Sequence, residues 1–131
     1  MNHSFDVEIA KKYGVNVATF LENIAFWINH NIANKQHFYN DMVWTYNTQD
    51  AFTLLFPYWS RQNIRTIVNK CLSENLIIIT SKHNKKKYDK TTWFALTEKG
   101  LSLFPHVHEN YKSLGWNQPK DWLESTNLYQ I

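Results

Sequence analysis

Cysteine, glycine and long apolar runs are scarce in this chain. Its single cysteine cannot form an internal disulfide, so the fold requires no oxidising compartment. The three glycines stand apart, which excludes a glycine-rich loop that cradles phosphates. The N-terminus lacks the basic and apolar segments of a secretory signal, and no apolar run approaches the roughly 20 residues that cross a bilayer. We therefore expect a soluble, cytoplasmic protein without a membrane partner.

Residues that could support catalysis or bind a metal are also few. Cys71 lies at an apolar position of a predicted helix, so we interpret it as a core residue and not as a nucleophile. The segment His106-Val107-His108-Glu109 lacks a thiolate partner and the HExxH spacing of a zinc-binding helix. We expect no enzyme activity, no metal site and no cofactor.

Positive charge is concentrated in one part of the chain. Residues 61–90 contain eight basic and two acidic side chains, a net charge of +6, whereas the remainder has six basic and nine acidic side chains, a net charge of −3. A local excess of this kind attracts a polyanion to one face of a protein. The distribution therefore indicates a nucleic-acid partner more strongly than the overall net charge of +3 does.

The hydrophobic pattern predicts one mainly α domain with a small β-hairpin, an α+β fold, over residues 1–104. The predicted elements are, in order, a helix at 17–32 capped by Asn16, a strand at 42–46, helices capped by Thr48 and Ser60, strands at 76–80 and 91–97, and a short helix that Thr97 caps and Pro105 ends. This order is that of a winged helix-turn-helix. Residues 105–131 contain Trp116 and Trp122 and are too apolar for a free tail, so we expect this aromatic extension to pack on the domain or on a partner, such as a second copy.

The helix that begins after Ser60 has the most specific pattern. Its apolar residues fall at i, i+3, i+4, i+7 and i+8 and occupy one face. The opposite face carries side chains that hydrogen-bond base edges: Arg61, Gln62, Arg65, Thr66 and Asn69. Arginine binds guanine, and glutamine or asparagine binds adenine, when such a helix lies in the major groove. For this pattern alone, an ordinary solvated helix face is the alternative.

The predicted hairpin adds a second, basic feature. Five of the nine residues from 82 to 90 are lysines: Lys82, Lys85, Lys86, Lys87 and Lys90. A hairpin needs no such charge to fold, whereas contact with phosphates along a DNA backbone explains it. The alternative is a solubilising sheet edge on which lysines discourage strand pairing. The helix and the hairpin in this order favour binding of double-stranded DNA, with stacking of single-stranded bases on Trp or Tyr as a further alternative.

Three aromatic stretches resemble a known family: Val43-Trp44-Thr45-Tyr46-Asn47, Leu55-Phe56-Pro57-Tyr58-Trp59-Ser60 and Trp93-Phe94-Ala95-Leu96-Thr97. Residues 5 to 103 resemble the N-terminal winged-helix domains of phage and plasmid replication initiation proteins, including relatives of the primosomal DnaD family. The resemblance implies binding of origin DNA in a bacterial setting and contact with replication proteins, a helicase or its loader. The chain departs from the family at Asn75, where glycine is expected, although asparagine also forms a left-handed helix end.

Two other functions fit the same sequence. A winged-helix transcriptional regulator would bind DNA in the same way but at a different site. A protein-interaction module would instead use the winged helix and residues 116–129 to dock a protein partner. A gene neighbourhood with a helicase loader and an origin would favour replication over both.

Overall fold

The computed structural model describes residues 1–113 of the chain. These residues form six helices and two antiparallel sheets: α1 (Val7–Tyr13), α2 (Val15–Ala33), β1 (Phe38–Tyr39), β2 (Met42–Val43), β3 (Thr45–Asn47), α3 (Gln49–Leu55), α4 (Arg61–Ser73), β4 (Ile77–Thr80), β5 (Thr92–Leu96), α5 (Glu98–Ser102) and α6 (Pro105–Ser113). The predicted α+β class, mainly helical with small sheets, is confirmed. The aromatic residues expected to anchor the extension at 116–129 lie outside the described residues.

Helix α2 is the centre of the fold because its apolar stripe, from Val17 to Ile32, contacts α1, α4, α6 and the larger sheet. The predicted cap at Asn16 is wrong, since Asn16 is the second residue of α2 and Gly14 holds the cap position with φ = 95°. Glycine adopts a positive φ of this kind at little cost, and Gly14 therefore allows the chain to turn sharply there. Gly14 also ends α1, a helix that periodicity does not reveal because it has only seven residues.

The larger sheet has β5 at its centre, with β3 and β4 as antiparallel neighbours. Its two faces are both covered, but by different parts of the chain. Phe94 and Leu96 belong to the main core with the helices. Trp93 and Ala95, which alternate with them along β5, belong to a second core that also contains Met42 and Trp44. The sheet therefore separates a helical layer from a small aromatic layer.

The strand predicted at 42–46 proves to be two strands in different sheets. Residues 42–43 pair with β1, and residues 45–47 pair with β5. Trp44 separates them because its buried side chain is held by the β1 segment, where its indole N–H donates to the carbonyl oxygen of Tyr39 at 2.9 Å. Asn40 and Asp41 connect β1 to β2 with φ values of 53° and 62°. Two consecutive left-handed residues are the geometry of a tight two-residue hairpin turn.

Several predicted helix ends are confirmed. The hydroxyls of Thr48, Ser60 and Thr97 accept hydrogen bonds from backbone N–H groups at the starts of α3, α4 and α5. Ser60 forms a reciprocal capping box with Asn63, with distances of 3.0 and 2.9 Å. Asn75 adopts the expected left-handed conformation with φ = 60°. These short-range interactions fix where α4 begins and ends.

The expected role of Pro105 is corrected by the structure. The short helix α5 ends at Ser102, and Pro105 is the first residue of α6. Proline fits this position because the N–H that it lacks would have no partner in the first turn of a helix. Helix α6 packs on α2 and buries Tyr111, whose hydroxyl accepts a hydrogen bond from the N–H of Val43 at 2.9 Å. Residues 105–113 of the predicted extension thus pack on the rest of the domain.

Candidate nucleic-acid interface

Helix α4 is oriented by its buried face. Ile64, Ile67 and Cys71 enter the main core, and each is less than 5% exposed. Burial raises the pKa of the Cys71 thiol to about 12, so the thiolate does not form at neutral pH. The interpretation of Cys71 as a core residue is confirmed. The opposite face of the helix is consequently directed to solvent.

The polar face of α4 consists of the five residues predicted to read bases, and all five are exposed: Arg61, Gln62, Arg65, Thr66 and Asn69. Three of them are connected by hydrogen bonds. The guanidinium group of Arg65 donates to Gln62 Oε1 at 3.1 Å, and Gln62 Nε2 donates to Thr66 Oγ1 at 3.4 Å. These bonds hold the side chains side by side along the helix surface, with donors and acceptors still accessible to a ligand.

Arg61 has a partner that the sequence did not indicate. Its guanidinium group forms an ion pair with the carboxylate of Asp50 in α3. Both side chains are more than half exposed, so the pair contributes only about 0–1 kcal/mol to folding stability. Its main consequence is electrostatic, because a carboxylate neutralises one cation of the polar face in the free protein.

The basic loop, residues 81–91, connects β4 to β5 at the predicted place. All five of its lysines are exposed: Lys82, Lys85, Lys86, Lys87 and Lys90. Its single carboxylate is engaged within the loop, because Asp89 accepts a hydrogen bond from the N–H of Thr91 at 2.9 Å. Hydrogen bonding by Thr91 holds the pKa of Asp89 below its usual value. The loop thus offers positive charge to solvent and directs its one carboxylate back to its own backbone.

Asn84 fixes the base of the basic loop. Its side-chain amide donates to the carbonyl oxygens of Asp89 and Thr91 at 3.2 and 2.8 Å. Its Oδ1 accepts a hydrogen bond from the indole N–H of Trp93 at 2.8 Å. One side chain therefore closes the loop and attaches it to the sheet.

The base of the basic loop lies near the N-terminal end of α4. Asn47, the last residue of β3, is paired with Thr92, which directly follows the loop. Paired strands lie about 4.8 Å apart. Three residues beyond Asn47, Asp50 reaches Arg61, the first residue of α4. A short path of residues thus joins the base of the basic loop to the start of α4.

Comparison with known proteins gave no match. No protein-family model, curated protein or solved structure is similar to the chain. Within residues 1–113, no helix combines the length and the apolar character needed to cross a membrane. Across the same residues, no group of three or more His, Cys, Asp or Glu side chains could hold a metal ion. A proposal for the function therefore draws on the sequence pattern and the geometry of this chain alone.

A cleft between α2 and β3 was not foreseen from the sequence. It has a volume of about 450 Å³ and lies beside the free edge of β3. Trp27 and Tyr46 both line it and are 42% and 49% exposed. His37 contacts Tyr46 edge to face, with ring centroids 5.3 Å apart, and burial lowers its pKa. Because these residues come from separate elements, no local sequence pattern indicates that they meet.

Proposed function

We propose that the protein is a winged-helix protein that binds double-stranded DNA. In this proposal the polar face of α4 enters the major groove, with its N-terminal arginines nearest to the base edges. The basic loop acts as the wing and lies along the phosphate backbone. The observation that carries the proposal is the proximity of Arg61 to the base of the basic loop, through Asp50 and the pairing of Asn47 with Thr92.

Charge supports the same assignment. The lysines of the basic loop are exposed, and its carboxylate is engaged by Thr91. Each phosphate that a lysine neutralises releases counterions, so the loop would supply affinity that depends on salt but not on sequence. The α4 side chains, which are held in a fixed arrangement by Gln62, would supply the dependence on sequence.

We further propose that the bound DNA is a replication origin of a phage or plasmid. This part is supported by the resemblance of residues 5–103 to replication initiation domains, which also suggests a helicase or its loader as a partner. A transcriptional regulator would grip DNA with the same residues, so the two roles differ only in the location of the binding site. Mapping the bound segments across the host replicon would separate an origin from a promoter.

The proposal is tested by removing the loop charge. We expect the triple variant K85A/K86A/K87A to weaken binding to all duplexes similarly and to lower the log–log salt slope by up to roughly three units. Fluorescence anisotropy over a salt series on one preferred and one scrambled duplex measures both effects. Folding stability should stay within about 0.5 kcal/mol, because these lysines are exposed.

A matched control changes the same number of charges elsewhere. The variant K11A/K12A/K35A removes three exposed lysines outside residues 61–90. It should leave the salt slope near the wild-type value if binding is local to the loop. An equal loss in both variants would mean a general charge effect and would contradict the assignment of the wing. A wild-type protein that binds no duplex tighter than the roughly 10⁻⁴ M non-specific level would contradict DNA binding itself and favour a protein-interaction module.

A further inference from the structure

The cleft between α2 and β3 has a lining that is aromatic and uncharged. Trp27 from α2 and Tyr46 from β3 both line it, and His37 contacts the Tyr46 ring. Side-chain amides complete it, from Asn31, Gln36 and Asn47. Among the described residues that line the cleft, none is Asp, Glu, Lys or Arg. This composition favours a neutral, planar ligand with hydrogen-bonding edges, because rings supply stacking surfaces and amides supply paired donors and acceptors.

Two of the amides are already oriented. Asn31 is buried, and its Nδ2 donates to the carbonyl oxygen of Trp44 at 2.8 Å. The Oδ1 of Asn47 accepts a hydrogen bond from the N–H of Thr48 at 3.1 Å. Amides that are fixed before a ligand arrives bind it at a lower entropic cost. The volume of about 450 Å³ is within the range of small-molecule pockets, about 300–1,000 Å³.

The cleft also borders the proposed DNA interface. Tyr46 is paired with Trp93, and Asn47 is paired with Thr92, the residue that follows the basic loop. A strand whose phosphates contact the lysines of this loop would therefore pass the mouth of the cleft. Positive charge that can bind the phosphate backbone thus lies beside a neutral cavity that can hold a base. Proteins that bind unpaired nucleotides use this combination.

We propose that this cleft binds an unpaired nucleobase, with Trp27 and Tyr46 as its stacking surfaces and the amides of Gln36 and Asn47 at its edge. The delivery of the base by a strand rests on the proposed DNA binding, whereas recognition of the base by the cleft does not. His37 is neutral at pH 7 because burial lowers its pKa, so it adds no charge that would select an anionic ligand.

The first experiment compares two single strands of equal length and charge. One carries bases, and the other is the same sugar–phosphate backbone with abasic sites throughout. We expect the wild-type protein to bind the base-bearing strand about 5- to 150-fold more tightly in an anisotropy titration, the range typical of a stacked base. Equal binding of the two strands would overturn the proposal, since only phosphates would then be recognised.

Variants on two walls of the cleft make the result specific. Trp27→Ala and Tyr46→Ala should each remove most of the preference for the base-bearing strand while binding to a duplex stays within a few-fold of wild type. Tyr58→Ala is the matched control, because Tyr58 is similarly exposed and lies outside the cleft. Gln36→Ala, which removes an exposed amide without touching a core ring, should lower the preference if Tyr46→Ala unfolds the protein. Retention of the preference in the folded cleft variants would overturn the proposal.

A third experiment tests whether the base can come from a free nucleoside, independently of any DNA binding by the loop. Titration with adenosine, guanosine, cytidine and thymidine tests whether a free nucleoside enters the cleft without phosphates. Saturable nucleoside binding that Tyr46→Ala abolishes would support the proposal even if no duplex binds, and would identify a free nucleoside as a ligand. If the base-bearing strand binds more tightly than the abasic strand but no nucleoside binds, the result would support the proposal and identify the strand as the source of the base. Duplex binding with neither effect would overturn the cleft proposal and leave the proposed function intact.

Discussion

Helix α4 and the basic loop are both basic and exposed, but they are held in place by different interactions. The helix is fixed from behind by Ile64, Ile67 and Cys71 in the main core. The loop contributes none of its residues to the two cores and is held by the hydrogen bonds of Asn84 and by the ring contacts of His83. Core packing is shared by the whole domain, whereas the loss of one side chain can release a loop. Helix α4 should therefore open only when the whole domain unfolds, whereas the loop should open locally.

The same contrast applies to the side chains that would contact DNA. On α4, Arg65, Gln62 and Thr66 are linked by hydrogen bonds, which fixes their relative positions. On the loop, Lys85 and Lys87 are exposed and attached to flexible stems. Fixed groups can distinguish one base edge from another, while mobile charges can follow any phosphate backbone. In the proposed complex with DNA, the helix would therefore supply specificity and the loop general affinity.

The largest expected effect comes from removing the support of α4. Ile64 is 1% exposed, so Ile64→Ala should lower the free energy of unfolding by about 2–5 kcal/mol. Urea denaturation followed by circular dichroism measures the change, with half-buried Val68→Ala as a milder variant on the same helix. A wild-type midpoint for Ile64→Ala would contradict the view that the core fixes α4.

Removing Asn84 should affect the loop and spare the helix. Asn84→Ala breaks three hydrogen bonds and leaves the indole N–H of Trp93 without its acceptor, at a cost of about 1–3 kcal/mol. Hydrogen exchange should show lost protection confined to residues 81–91, with α4 amides unchanged. Asn69→Ala, on the exposed face of α4, is the control and should stay within about 0.5 kcal/mol of wild type. Equal loss of protection in α4 would mean that the two regions do not open independently.

Arg65 tests the assignment of specificity to α4. Arg65→Ala should reduce affinity for the preferred duplex by about 1–3 kcal/mol more than for a scrambled duplex, because a bidentate contact to guanine is lost. Competition titrations at fixed salt measure the difference. Arg65→Lys keeps the charge but loses the planar fork, so it should lose specificity too. If Arg65→Ala lowers both affinities by the same factor, this arginine contacts only phosphate.

A smaller effect is expected from the ion pair at the start of α4. Asp50→Ala frees the guanidinium group of Arg61 and removes a negative charge beside the proposed groove contact. Affinity for duplex DNA should rise by at most about fivefold, since an exposed pair is worth about 0–1 kcal/mol. Glu109 is an exposed carboxylate on α6, far from Asp50 in the sequence. Glu109→Ala removes the same charge and should raise affinity less. A loss of affinity in Asp50→Ala would show that the pair positions Arg61 for binding.

The smallest expected effect is a pH response of the loop. Burial lowers the pKa of His83, so its ring is harder to protonate in the folded state than in the unfolded state. Stability from this group is present above the ordinary histidine pKa of 6.5 and is lost as pH falls through the lower pKa of the folded state. The protection of the loop amides, measured relative to the intrinsic exchange rate at each pH, should therefore fall from pH 7 to pH 5. His83→Phe keeps a ring against Tyr39 and should weaken the response; an unchanged response would assign it to His37.

Local chemistry explains which features the sequence predicted. Thr48, Ser60 and Thr97 cap helices because their hydroxyls accept hydrogen bonds from the N–H groups three residues ahead, which needs no distant contact. Asn75 takes a left-handed conformation for similarly local reasons. The hairpin at Asn40 and Asp41 carried the same kind of signal, a polar pair between Tyr39 and Met42, but its two-residue strands are too short for periodicity to separate from β3.

The sequence by itself determined the α+β class, the exposed polar face of α4 and the concentration of lysines at residues 82–90, because each depends on the spacing of neighbouring residues. Only the tertiary structure decided what meets across the fold. The pairing of Asn47 with Thr92 connects the base of the basic loop to β3, and Trp27 and Tyr46 line one cleft although they come from different elements. Such contacts join residues far apart in the chain, and they are selected by the packing of the whole core, which no local pattern records.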